Sequence, residues 1–262
     1  VDARHERLRL PTEATVGGRA EPADMAAIAM GVIDGTGPFR DAEYAKEMQH
    51  SFCKQLDDRL GAASYYQQGP SFDGLNDGFK ASRTLQWLKQ KRVADPSVRI
   101  MLAGYSRGGA TVMAVAELLS WESIPVDSLF LFDAVARHIL LTGRSIPSNV
   151  AYCRHAMRSQ DPAFVRKYET YLLDNKVTGS WASPFSSNVT RPWFGSVGGE
   201  SGGCKDYQKR VFSGSHGALG GVGWKKAPED GPAQEQVAGW MNAALSARGV
   251  PAQLTSFPPM SQ

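Results

Sequence analysis

Gly104-Tyr105-Ser106-Arg107-Gly108 sets a serine between two glycines in the pattern G-x-S-x-G. A serine hydroxyl is a weak nucleophile and reacts only when it is held exposed on a tight turn with a base in hydrogen-bond reach. The flanking glycines allow such a turn between a strand and a helix, and Gly109 adds room. A helix that begins after the serine aims its positive end at an oxyanion forming on the attacked carbonyl. The pattern therefore demands an acid and a histidine further along the chain, in the order serine, acid, histidine.

Five histidines compete for the role of base. His5 and His50 precede the serine, in a tail and in a helical stretch. His138 falls in a helical stretch beyond Asp133, and His155 lies inside a strand, where a satisfied core histidine is expected. His216 stands in Phe212-Ser213-Gly214-Ser215-His216-Gly217-Ala218-Leu219, a loop leaving the last strand, and is the expected base. Asp133 closes the apolar run 128–132 after the nucleophile and is the expected acid, positioned to hold the imidazole in one tautomer. Asp161, after the following strand, is the alternative acid.

Stabilising a tetrahedral intermediate needs two donors. One is the backbone N–H of the residue after the serine, here Arg107. The other comes from a loop after an early strand, Asp34-Gly35-Thr36-Gly37, with the amides of Gly35 and Thr36 expected to point inward. That loop lacks the Lys-Ser/Thr of a phosphate-binding Walker motif. Cys53, Cys153 and Cys204 are far apart, with no CxxC and no histidine at ligand spacing, so buried or idle thiols and no metal are expected, with one disulfide and an odd thiol as the alternative. No cofactor is expected.

The elements that must position these residues alternate. Apolar strands are expected at 25–33, 64–67, 98–103, 126–132, 149–157 and 207–212, and helices at 41–60, 74–93, 106–119 and 234–247. Strands alternating with helices predict an α/β fold with a mostly parallel sheet covered on both faces. The 262 residues are expected to form a flexible segment at 1–22, one domain over 23–250 and a loose tail at 251–262. An irregular Ser/Gly/Pro/Trp insertion interrupts the domain at about 175–205. Its aromatics Trp181, Phe185, Trp193 and Phe194 suit either a lid or membrane contact, or a packing cluster under a long loop.

With 29 basic against 26 acidic residues, the net charge of +3 is too small to point to nucleic acid. No apolar run reaches the ~18–20 residues of a spanning helix. The amino end is charged rather than apolar, so no secretory signal is expected there.

Four motifs stand in order: IDGTG at 33–37, GYSRGG at 104–109, LFDAV at 131–135 and FSGSHGALGG at 212–221. Together with RHAMRSQDPAF at 154–164, they resemble an α/β-hydrolase family of bacterial and fungal proteins that includes phospholipase effectors of the type VI secretion system. The resemblance implies the α/β-hydrolase fold, with Ser106 as nucleophile, His216 as base, Asp133 as acid and the DGTG loop near the oxyanion. It further implies an antibacterial lipolytic esterase acting on glycerophospholipid at a membrane surface. Such a protein is made in the cytoplasm, delivered into a competitor's periplasm and countered by a cognate immunity protein. An esterase for a small soluble substrate, and an inactive binding protein on a hydrolase scaffold, are the competing expectations.

Overall fold

The first strand is apolar throughout, so its side chains require cover on both sides. The structure, a computed structural model, describes residues 26–37, 40–70, 76–136, 145–167, 195–223 and 227–258. In β1 (Ile28–Ile33), Met30 and Val32 enter one buried cluster while Ala29 and Ile33 enter another. β3 (Arg99–Tyr105) and β4 (Val126–Phe132) divide in the same way. Met101, Ala103, Tyr105, Phe130 and Phe132 lie in the first cluster, and Ile100, Leu102, Leu129 and Leu131 in the second. Strands apolar on both sides are stable only inside a sheet layered between helices.

The helices divide accordingly. α1 (Asp41–Met48), α2 (Phe52–Leu60) and the long closing helix Asp230–Ala247 supply the first cluster, through residues such as Met48, Leu56, Val237 and Met241. α3 (Asp77–Ala94) and α4 (Ser106–Trp121) supply the second, through Ala81, Leu88, Val112 and Val115.

The sheet has six strands in the order β2-β1-β3-β4-β6-β8, every neighbouring pair parallel. β2 is Ser64–Gln67, β6 is Val150–Arg158 and β8 is Asp206–Phe212. A two-stranded antiparallel ribbon, β5 (Val135–Ala136) with β7 (Gly195–Ser196), lies outside the sheet. Chain order reverses at β1: the chain steps outward to β2, then returns to β3 on the other side. Loops leaving β1 and β3 part at such a switch point and open a crevice at the carboxyl edge of the sheet. With a serine elbow after β3 and an acid after β4, this is the α/β-hydrolase fold.

The helix expected over 41–60 is two helices. Ser51 breaks it, its backbone extended and its Oγ accepting from the Lys54 amide at 2.9 Å as the cap of α2. His50 therefore lies in the turn between helices, its ring stacked on Phe257 at 4.1 Å. The tail is not loose where it is described. Ala252 and Leu254 are buried, Asn242 exchanges two hydrogen bonds with the backbone of Leu254, and Gln55 does the same with Thr255. Apolar residues and two side-chain amides thus replace the missing secondary structure there.

Part of the Gly-rich stretch is also held in place. Ser196 pairs with Val135, Val197 is buried, and the Gly198 carbonyl accepts from Tyr207 Oη at 2.9 Å. The segment 1–22, His5, His138, the four aromatics and positions 175–194 of the expected insertion lie outside the described residues. All three cysteines are buried free thiols. Among the described residues no helix is long and apolar enough to cross a membrane.

Candidate active site

Ser106 is the first residue of α4 and carries φ 55°, in the left-handed region that a side chain normally avoids. A strand running directly into a helix produces this corner, and close packing maintains it. A Cβ on Gly104 would stand 2.7 Å from the Gly108 carbonyl oxygen and from Gly109 Cα. A Cβ on Gly108 would stand 2.1 Å from the Asp34 carbonyl oxygen. The glycines of the elbow therefore admit both the tight turn and the loop after β1 that rests on it.

His216 opens a one-turn helix, His216–Leu219, capped by Ser215, whose Oγ accepts from the Ala218 amide at 3.0 Å. Buried Asp230 holds Ser215 from the start of the last helix, accepting its amide at 2.8 Å and its hydroxyl at 2.6 Å. The His216 carbonyl accepts from Tyr105 Oη at 3.1 Å, and the Tyr105 ring lies 4.9 Å from the imidazole. Burial holds the Tyr105 phenol well above its usual range, so it remains a neutral donor.

The three expected residues meet. His216 Nε2 lies 2.7 Å from Ser106 Oγ, and His216 Nδ1 lies 2.7 Å from Asp133 Oδ2. An ionised carboxylate only accepts, so Nδ1 carries the proton and Nε2 is left to accept from the serine hydroxyl. Asp133 is fully buried and has φ 42°, a bend that turns its carboxylate off the end of β4. Asp161, the alternative acid, is exposed and caps the backbone after it, its Oδ1 accepting from the amides of Ala163 and Phe164. His155 sits in the core with Nδ1 2.9 Å from the Gly198 carbonyl, while Nε2 accepts from the Ala134 amide at 3.0 Å.

Residue types alone did not single out Arg158. Its amide donates to Asp133 Oδ1 at 3.2 Å, and its guanidinium Nε lies 3.2 Å from Asp133 Oδ2 with the side chain almost fully buried. Asp133 Oδ2 therefore meets both the His216 imidazole and a fixed cation. Arg158 falls within the 154–164 motif, but only the register of β6 beside β4 brings it to Asp133.

Among the candidate oxyanion donors, Arg107 is in the first turn of α4, where backbone N–H groups have no partner inside the helix. The Gly35 amide does not point inward as expected. It donates to Asp34 Oδ1 at 2.8 Å, and the Gly35 carbonyl accepts from Tyr44 Oη at 2.7 Å. Both backbone groups are taken because the loop is tied back toward α1 and α2. Gly35 contributes its missing side chain instead, since a Cβ there would be 2.5 Å from the Tyr105 ring and 3.3 Å from Ser106 Cβ. At Thr36 the expected donor is the amide; what stands out there is instead the side chain, whose Oγ1 is buried and has no hydrogen-bond partner among the described residues.

Asp34 is fully buried, and burial pushes its carboxyl up to about 6 even though hydrogen bonds from Ser51, Gly35 and Tyr66 pull it down. Among the described residues no cluster of His, Cys, Asp and Glu could hold a metal ion.

No family profile matches the chain, and no curated protein matches it. Several solved structures share parts of its course. The RedJ thioesterase of the prodiginine biosynthetic pathway in Streptomyces coelicolor matches with 14% identity and a TM-score of 0.41, over 90% of this chain and 91% of that one. A cutinase-like protein from Cryptococcus sp. matches with 18% identity and a TM-score of 0.27, over 40% of this chain and 51% of that one. The NocB thioesterase domain from the nocardicin cluster matches with 13% identity and a TM-score of 0.32, over 52% and 72%. The match thus spans about half the length of the cutinase-like chain. Likenesses this distant decide nothing about chemistry, which has to come from the site.

Proposed function

We propose that the protein is a serine hydrolase of acyl esters. The observation that carries this reading is the pair of 2.7 Å contacts joining Ser106, His216 and Asp133 in a buried line. His216 Nε2 takes the Ser106 proton as Oγ attacks the ester carbonyl. Asp133 holds the tautomer and stabilises the imidazolium that forms. The Arg107 amide and the unpartnered Thr36 hydroxyl are the donors assigned to the developing oxyanion. The imidazolium then protonates the departing alcohol. Water, deprotonated by the same nitrogen, attacks the acyl-enzyme and releases the acid. No step requires a cofactor.

The proposed substrate is a phospholipid at a membrane surface. It rests on the resemblance carried by the 33–37, 104–109, 131–135 and 212–221 motifs. An antibacterial type VI effector, acting in a target-cell periplasm and neutralised by an immunity protein, follows from the same resemblance.

Fatty-acid release from mixed phospholipid vesicles, measured for the parent, Ser106→Ala and His216→Ala, tests both levels. Release by the parent that falls by roughly 10⁴-fold or more in each variant is expected for residues that act as one unit. No release from vesicles, with turnover of a short soluble ester, would retain the hydrolase and reject the lipid. Silence on both substrates from a folded protein would reject the hydrolase.

A further inference from the structure

The loop after β1 is anchored at more points than a surface turn needs. Asp34, at the carboxyl end of that strand, is completely buried. Its Oδ1 accepts the amide of Gly35 at 2.8 Å. Its Oδ2 accepts the hydroxyl of Ser51, the cap of α2, and that of Tyr66 on β2 at 3.0 Å. Its own amide donates to the Gln67 carbonyl of β2 at 3.1 Å. Tyr44 of α1 completes the enclosure, donating to the Gly35 carbonyl at 2.7 Å and accepting from the Gly69 amide at 2.7 Å.

A buried carboxylate is expensive to keep unless its lone pairs are satisfied, and a polar cluster satisfied this fully holds its members rigidly. What it holds here is the turn against the elbow. The Asp34 and Ile33 carbonyls press on Gly108, and Gly35 presses on Tyr105 and Ser106. Thr36, with its unpartnered hydroxyl, follows immediately.

We propose that Asp34 is a positioning residue: by gathering Gly35, Ser51 and Tyr66 on one carboxyl group, it fixes the 34–36 turn so that Thr36 meets the oxyanion beside the Arg107 amide. This rests on the serine-hydrolase reading above. Asp34 touches neither the nucleophile nor the base and acts only through the turn. Its loss therefore weakens binding of the transition state more than binding of the substrate, and it lowers kcat with little change in KM.

The test compares kcat and KM on a short soluble p-nitrophenyl ester for the parent, Asp34→Ala, Asp34→Asn, Ser51→Ala and Tyr66→Phe. Thermal melts and fluorophosphonate labelling of Ser106 accompany each. In Asp34→Ala, kcat is expected to fall on the order of 10–100-fold, at or below the ~10²–10³-fold lost with an outright oxyanion donor, while KM holds within about threefold. Asp34→Asn keeps an oxygen for the Gly35 amide and offers an NH2 from which the Ser51 and Tyr66 hydroxyls can accept in place of donating, so it is expected to recover most of the loss.

A folded Asp34→Ala with parental kcat overturns the proposal, and so does an Asp34→Asn no better than Asp34→Ala. If Asp34→Ala does not fold, Ser51→Ala and Tyr66→Phe decide. A fall in kcat at constant KM supports the anchoring, and parental kcat in both overturns it. A parent that neither labels nor turns over ester sinks the hydrolase reading together with this one, whereas an active parent with unaffected variants sinks this one alone.

Discussion

Asp133 receives two partners of opposite use. His216 needs the carboxylate's negative field to become an imidazolium, and Arg158 offsets part of that field from 3.2 Å away. A nearby opposite charge favours the ionised carboxylate, and one that is desolvated does so strongly. Removing the cation should leave more of the field to His216 and favour its protonated, inactive form. Arg158→Met is therefore expected to move the acid limb of the kcat/KM profile to higher pH, while Arg158→Lys stays near the parent. A pH–rate series on a soluble ester, checked by thermal melts, measures the shift. An unmoved acid limb in folded Arg158→Met would reduce Arg158 to a packing residue.

Elements place these residues by close approach, and the margins are small. Gly108 in the first turn of α4 has no space for a methyl group, since the carbonyl oxygens of Asp34 and Ile33 stand 2.1 and 2.3 Å from where a Cβ would sit. These are backbone atoms and cannot rotate away. Gly108→Ala is expected to cost about 1–3 kcal/mol by overpacking. It should also push the 34–36 turn outward, so that activity falls more than stability explains; urea melts beside kcat separate the two effects.

At the other end of the chain, Asn242 of the last helix pairs with the Leu254 backbone at 2.9 and 2.6 Å, in the manner of a neighbouring strand. Asn242→Ala leaves two backbone groups unpaired and is expected to cost about 1–3 kcal/mol. It lies far from the elbow in sequence and contacts no triad residue, so kcat should not change. An altered kcat would mean that the tail reaches the site.

For the whole molecule, Asp34 ties stability to pH. Its carboxyl is raised from 3.8 to about 6 by burial. The folded state therefore holds this proton more tightly than the unfolded chain. The stabilisation is complete below about 3.8 and is lost as pH rises through about 6. A shift of that size corresponds to about 3 kcal/mol at 1.36 kcal/mol per pH unit. Asp34→Asn cannot ionise, so its stability relative to the parent should improve by about 2 kcal/mol between pH 4.5 and 8, the remainder of the shift falling below pH 4.5. Urea unfolding across that range measures the difference, and a constant difference would place the titration elsewhere.

The apolar runs of β1, β3 and β4 and the glycines of the elbow are local facts, and they made the layered sheet, the serine elbow and the candidate histidine legible from residue types and spacing alone. The break at Ser51 was not legible, because Tyr44, Met48, Phe52 and Leu56 keep a helical period across it and the cap is stabilised by a partner 17 residues away. The choice of Asp133 over Asp161 was open, since both follow strands and either could serve. Only the tertiary structure tells the two apart in place: Asp133 turns inward at φ 42° and meets His216, while Asp161 caps its own backbone.

The Gly35 amide was assigned inward because glycine permits it, but permission does not set direction; the buried carboxyl beside it does. Sequence determined which side chains could do the chemistry, through patterns within a few residues of each other. Contacts between Ser106 and His216, Asp133 and Arg158, and Asp34 and Tyr66 span 110, 25 and 32 residues. Only the order and register of the strands bring such distant groups within hydrogen-bond reach, and that is a property of the packed sheet.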